Sequence, residues 1–185
     1  MGMSKNPVLR AISAVYVWLI RGTPMLVQAF FVFYAIPQLV KVMTGTAFTL
    51  TPFAAGAITL SLNAGAYISE IFRGGIQAVP KGQTEAARSL GLSSAKTMLR
   101  VVLPQAFKIA IPSLVNQFII TVKDTSILSV IGLAEVVNRA KQYVGSTFSF
   151  FATYVYVGAL YLVVISLLMV LSRRIEKRMS YDRKG

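Results

Sequence analysis

Cysteine and histidine are both missing from the 185-residue sequence, which excludes disulfide frameworks, thiolate nucleophiles, imidazole acid–base chemistry and the common zinc sites. Acidic residues are also scarce. Glu70, Glu85, Asp124, Glu135, Glu176 and Asp182 are the six carboxylates, and no two of them are spaced as a paired acid–base site on one helix. A phosphate-binding loop of the form GxxxxGK[ST] is lacking too, and no internal repeat is visible. The sequence therefore offers no catalytic residue, no metal site and no cofactor site of a familiar kind. No cleavable signal peptide is expected either, because Met1–Arg10 is polar and the apolar stretch after it is broken at Arg21.

Apolar residues dominate what is present. They make up 55% of the chain and give a mean hydropathy of +0.65, too apolar for a soluble domain, so a helical membrane protein of one domain is expected. The net charge of +13 would suit a nucleic-acid partner if it formed one patch. Instead the basic residues fall in blocks beside apolar runs, the pattern of loop orientation in a membrane, and nucleic acid is set aside.

Residues 1–22 carry Lys5, Arg10 and Arg21 around Ala11–Ile20, an apolar stretch of ten residues that is too short to cross about 30 Å of hydrocarbon. This segment is read as a cytoplasmic or interfacial helix. The first expected span is Pro24–Val40, opened by Pro24 in its first turn and bent at Pro37, with Gln28 as its one mid-segment polar side chain. A second span, about Phe53–Phe72, places Asn63, Tyr67 and Glu70 on one face. That face would be costly against lipid and should point into protein or an aqueous path. Interhelical glue, with Glu70 beside Arg73, is the competing reading of the same residues.

Arg73–Arg100 forms a polar island. A third span, Val101–Val122, is interrupted by Pro104, Lys108, Pro112, Asn116 and Gln117, and both prolines should bend or open it. Gln117, Thr121 and Asp124 make a second polar stripe, and discontinuous helices with polar faces point to a transport path. Asp124, Thr125 and Ser126 should cap a short apolar helix over Ser126–Lys141, followed by a turn at Gly145-Ser146. The last span, Phe148–Leu171, leads into a frayed basic tail. The domain description is thus an N-terminal segment 1–22, a membrane domain 23–172 with a cytoplasmic loop 80–104, and a tail 173–185. With four spans and both ends inside, the cytoplasmic segments hold every basic residue except Lys41, Lys123, Arg139 and Lys141, so the island is placed in the cytosol.

Within the island, Gln83–Leu90 is helix-prone, Gly91 is a natural stop, and Ser93 or Ser94 can cap a second helix leading to Pro104. Periodicity alone leaves a plain amphipathic connection open. The pattern Glu85-Ala86-Ala87, Gly91, and Leu103-Pro104 after Val101 resembles the signature loop of permease subunits of bacterial ABC importers fed by binding proteins. Arg21-Gly22-Thr23-Pro24, Arg73–Gln83 and Lys123-Asp124-Thr125-Ser126 look like the polar amino acid branch of that family.

The resemblance implies an all-α, type I ABC importer permease-like bundle of about four spans plus the N-terminal interfacial helix, the family's first span being missing. It also implies a bacterial inner-membrane location, an ATPase subunit dimer, an extracytoplasmic amino acid binding protein and a second permease subunit, identical or related. ATP and magnesium would sit on the ATPase, and this chain would hydrolyse nothing. Glu85, Ala86, Ala87, Gly91, Leu103 and Pro104 would form the ATPase-coupling surface, on a first island helix rigidly continuous with the third span. Gln28, Asn63, Tyr67, Gln117, Thr121 and Asp124 are the candidates for the substrate path. Relatives that carry basic amino acids often have Asn-Glu where this chain has Asn116-Gln117, so a neutral polar amino acid is the favoured cargo. An opine or other small solute, and a non-transporting interaction protein, are the alternatives.

Overall fold

The computed structural model describes residues 6–181, and among these there is no β-strand. Lys5 and residues 182–185 of the tail lie outside them. Helix α1 (Pro7–Gly22) starts where the Asn6 side chain accepts from the Val8 amide at 2.9 Å, with Pro7 in the first turn. Thr23 is extended and Pro24 precedes the next helix rather than joining it. α2 (Met25–Phe30), a π turn (Phe31–Ala35) and α3 (Ile36–Thr44) then form one continuous rod.

The bend expected at Pro37 takes the form of that π turn. The proline ring crowds the carbonyl four residues back, the turn widens, and the Ile36 amide reaches five residues back to Phe31. An identical solution precedes Pro104, where α6 (Ser94–Thr97) passes through a π turn (Met98–Val102) into α7 (Leu103–Asp124), with the Leu103 amide donating to the Met98 carbonyl. Pro112 was expected to open the helix as well, but it lies inside α7 with no wide turn. The third span begins well before Val101, because the rod is helical from Ser94.

α4 (Pro52–Gln77), capped by the Thr51 hydroxyl on the Ala54 amide at 3.2 Å, is the central helix. It packs on α1, α2 and above all α7. Lipid supplies no hydrophobic drive between helices, so close approach of small residues must hold such a pair. Gly75 marks a close approach, since a Cβ there would stand 2.8 Å from the Ala106 carbonyl oxygen and 3.3 Å from the Ala110 methyl. Three helical stretches are both long and apolar enough to cross a membrane, Met25–Thr44, Ser94–Ile131 and Phe150–Ile175. α4 has the length, 26 residues or roughly 39 Å, but Asn63, Tyr67, Glu70 and its serines lower its hydropathy. On its polar face Asn63 is buried and Tyr67 and Glu70 are half-buried.

Beyond α7 the chain differs from the sequence expectation. Ser126–Lys141 is two pieces, a 3-10 helix (Thr125–Ile131) and α8 (Val136–Thr147), broken where Gly132 takes φ +82°. Asp124 caps nothing. The Thr125 and Ser126 hydroxyls bond back to the Val122 and Lys123 carbonyls, each at 2.7 Å, which lets α7 run straight on. Glu135 caps α8 instead, accepting from the Val137 and Asn138 amides at 2.8 and 2.6 Å. Gly145 and Ser146 lie inside α8, and the turn comes at Phe148, the one non-glycine residue with positive φ (56°) among the described residues. α9 (Phe150–Tyr181) continues through the basic segment, so the tail is helical as far as Tyr181.

Candidate functional site

The island folds as expected in outline. α5 (Lys81–Ser89) ends at a turn in which Gly91 takes φ +82°, its amide donates to the Arg88 carbonyl (3.0 Å), and the Leu92 amide reaches the Ala87 carbonyl (3.2 Å). The Arg88 guanidinium closes the turn by donating to the Leu92 carbonyl at 2.9 Å. Ser93 then accepts from the Lys96 amide at 3.4 Å and starts α6.

Glu85 and Ala86 are exposed on α5, Leu90 is 83% exposed at its end, and Leu103 and Pro104 are exposed on α7. Ala87 is buried, so its small side chain serves the packing of α5 onto α6 and the π turn rather than an outside partner. α5 is therefore not continuous with the third span. The Gly91 turn separates them, and the helix continuous with that span is α6. A cleft of about 460 Å³ lies behind α5, lined among others by Lys81, Thr84, Arg88 and Thr97. Thr97 is 2% exposed and its hydroxyl has no hydrogen-bond partner, a cost that sequence inspection did not foresee.

Of the six path candidates, the structure brings Gln28 and Asn63 together. The Gln28 amide donates to the Ile20 carbonyl (2.7 Å), the Thr23 carbonyl (3.0 Å) and the Thr23 hydroxyl (2.9 Å), and its oxygen accepts from Asn63 at 3.1 Å. Gln28 thus satisfies carbonyls freed where α1 stops and ties that corner to α4. Tyr67 is engaged by Arg21, whose guanidinium lies 5.3 Å from the ring centre. Arg21 also reaches Glu70 at 3.4 Å, while Arg73 holds Glu70 in a fork at 2.9 and 2.6 Å and donates to Gln77.

Sequence reading missed Arg21 and also Tyr16, whose hydroxyl donates to the Leu62 carbonyl at 2.6 Å. A lone cation beside a helix break was the available signal for Arg21; Tyr16 carried none. Gln117 is buried on α7 and paired with Thr121, which donates to its carbonyl at 2.9 Å and accepts from its amide at 3.5 Å. Asp124 is half-buried at the end of α7. The Gln28–Asn63 and Gln117–Thr121 pairs have no hydrogen bond to each other among the described residues.

The profile of the family described as "Binding-protein-dependent transport system inner membrane component" matches residues 1–181. The chain is similar to the L-cystine transport system permease protein TcyB of Bacillus subtilis, with 42% identity over 96% of this chain and 73% of the relative. It is also similar to the glutamine transport system permease protein GlnP of Escherichia coli, with 38% identity over 91% and 74%, and to the arginine transport system permease protein ArtQ of Bacillus subtilis, with 38% identity over 89% and 72%. A crystal structure of an amino acid ABC transporter with histidines superposes with a TM-score of 0.89 at 37% identity, covering 96% of this chain and 80% of that one.

Proposed function

The chain belongs to the family of binding-protein-dependent transport system inner membrane components, and from that premise we propose that it is the translocation subunit of an ATP-driven importer of polar amino acids. Neutral cargo is favoured over basic cargo. Gln117 is buried on α7 and has no charge to offer a guanidinium or ammonium, and relatives named for cystine and glutamine stand beside one named for arginine.

One observation carries the reading: the helical path is unbroken from α6 to Asp124, so the exposed α5 turn is linked to the depth at which Gln117 lies. A cytoplasmic ATPase dimer would grip α5 through Glu85, Ala86 and the exposed Leu90. Its closure on ATP would move α5, and the packing of Ala87 would pass the motion through the π turn to α7. Alternating access then follows from rocking α7 against α4.

ATP and magnesium belong to the partner, and a binding protein delivers the amino acid from outside the inner membrane. A second permease subunit completes the pair, since paired ATPases need two docking helices. The test is reconstitution of this chain with an ATPase subunit and a binding protein, followed by uptake competition across neutral, acidic and basic amino acids. Assembly with ATPase stimulation by a loaded binding protein is expected, together with competition by neutral polar amino acids. Failure to assemble with the ATPase would leave only a membrane interaction role.

A further inference from the structure

A trough of about 500 Å³ runs between the end of α7, the 3-10 helix, α8 and α9. Its polar groups are Lys123, Ser126, the Tyr161 hydroxyl and Ser166, from different elements, and along α9 below Tyr161 the wall is Leu162, Ile165 and Met169 with Ser166 among them. Gly158 opens the trough, for a Cβ there would meet nothing within 4 Å. From Gly158 to Met169 the helix rises roughly 17 Å, close to the ~15 Å of one leaflet's hydrocarbon.

Exposed Phe150, Phe151, Tyr154 and Tyr156 precede it on α9, an aromatic belt of the kind found at the membrane–water boundary. Lys123 therefore lies just beneath that boundary, where its long side chain can reach headgroup level. It forms no ion pair, since both ion pairs among the described residues are at Glu70.

An amino acid would suit this trough poorly, because no carboxylate lines it to meet the ammonium group. Asp124, next to Lys123 in the chain, is half-buried at the end of α7, and Glu135 is held by the first amides of α8 and by the Tyr161 hydroxyl at 3.5 Å. We propose that the trough is a binding site for an anionic phospholipid of the outer leaflet, its phosphate against the Lys123 ammonium group at the polar end of the trough and one acyl chain along Leu162–Met169. The site uses the orientation set by the basic residues and is independent of the cargo.

Native mass spectrometry of the full-length chain in detergent, with phosphatidylglycerol or phosphatidylcholine added, tests this. Retention of phosphatidylglycerol should exceed that of phosphatidylcholine by about fivefold. Lys123→Gln should bring the two to parity, while Arg139→Gln, an exposed cation on α8, should leave the preference intact. Gly158→Leu, whose Cβ has open space around it and whose side chain would occupy the trough, should remove the bound lipid of both kinds and leave subunit stoichiometry unchanged. A preference that survives both Lys123→Gln and Gly158→Leu overturns the proposal. So does a Gly158→Leu variant that loses a second copy of the chain and keeps its lipid, since the trough would then be a subunit interface.

Discussion

Replacing Gly91 by valine changes one backbone torsion and touches nothing else. The residue takes φ +82°, and a Cβ built there meets no atom within 4 Å, so the whole effect comes from holding a β-branched residue in the left-handed region. That conformation costs an L-residue about 1–2 kcal/mol, and β-branching adds to it. What is lost is the turn, with its Gly91-to-Arg88 and Leu92-to-Ala87 bonds and the Arg88 clasp on Leu92.

A penalty of that size lowers the ratio of formed to unformed turn by about 5- to 30-fold. α5 is mostly exposed and the membrane helices do not depend on the turn, so insertion and assembly should be normal. The assay is ATPase activity of the reconstituted complex with and without loaded binding protein, and stimulation should fall, with about that factor as the largest loss the penalty allows. Gly91→Asn should keep much more of it, because asparagine tolerates the left-handed region. Full coupling in the valine variant, or equal loss in both variants, would refute the argument that this turn transmits force.

Gln117→Glu should shift uptake toward basic amino acids by placing a carboxylate at a buried point of α7, and an unchanged preference between glutamine and arginine in competition assays would make Gln117 a packing residue only. Gln28→Leu should destabilise the protein by about 1–3 kcal/mol or more, seen as a lower thermal midpoint in detergent, because the Ile20 and Thr23 carbonyls and the Asn63 amide all lose their partner. Thr97→Val should act in the opposite sense and raise the midpoint, since it removes a buried hydroxyl with no partner and keeps the shape; a lower midpoint would mean that the hydroxyl is bonded in solution.

Sequence patterning reached the helical class, the island's two helices and the order of the main rods, because apolar run length, proline position and capping residues act within a few residues of where they stand. Family resemblance of the loop from Glu85 to Pro104 rested on residues whose spacing is visible in the chain. The reading of Ser126–Lys141 as one helix failed for a local reason. A single glycine in a short apolar run, Gly132, was enough to break it, and an isolated glycine in such a run is itself a warning.

Other features had no local signal. Glu135 is a poor N-cap by residue type and works only because Val137 and Asn138 present their amides to it. Arg21 meets Tyr67 and Glu70 only because α1 folds back onto α4.

The sequence by itself determined that the chain enters a membrane, that its basic residues fall in blocks beside apolar runs, and that chemistry needing cysteine or histidine is absent, since these follow from composition and charge placement. Tertiary structure alone decided what the polar residues do. Gln28 and Asn63 have the same side chains whether they line a path or close a helix break, and a pair 35 positions apart acquires its role only when packing brings the amide to carbonyls that nothing else can satisfy.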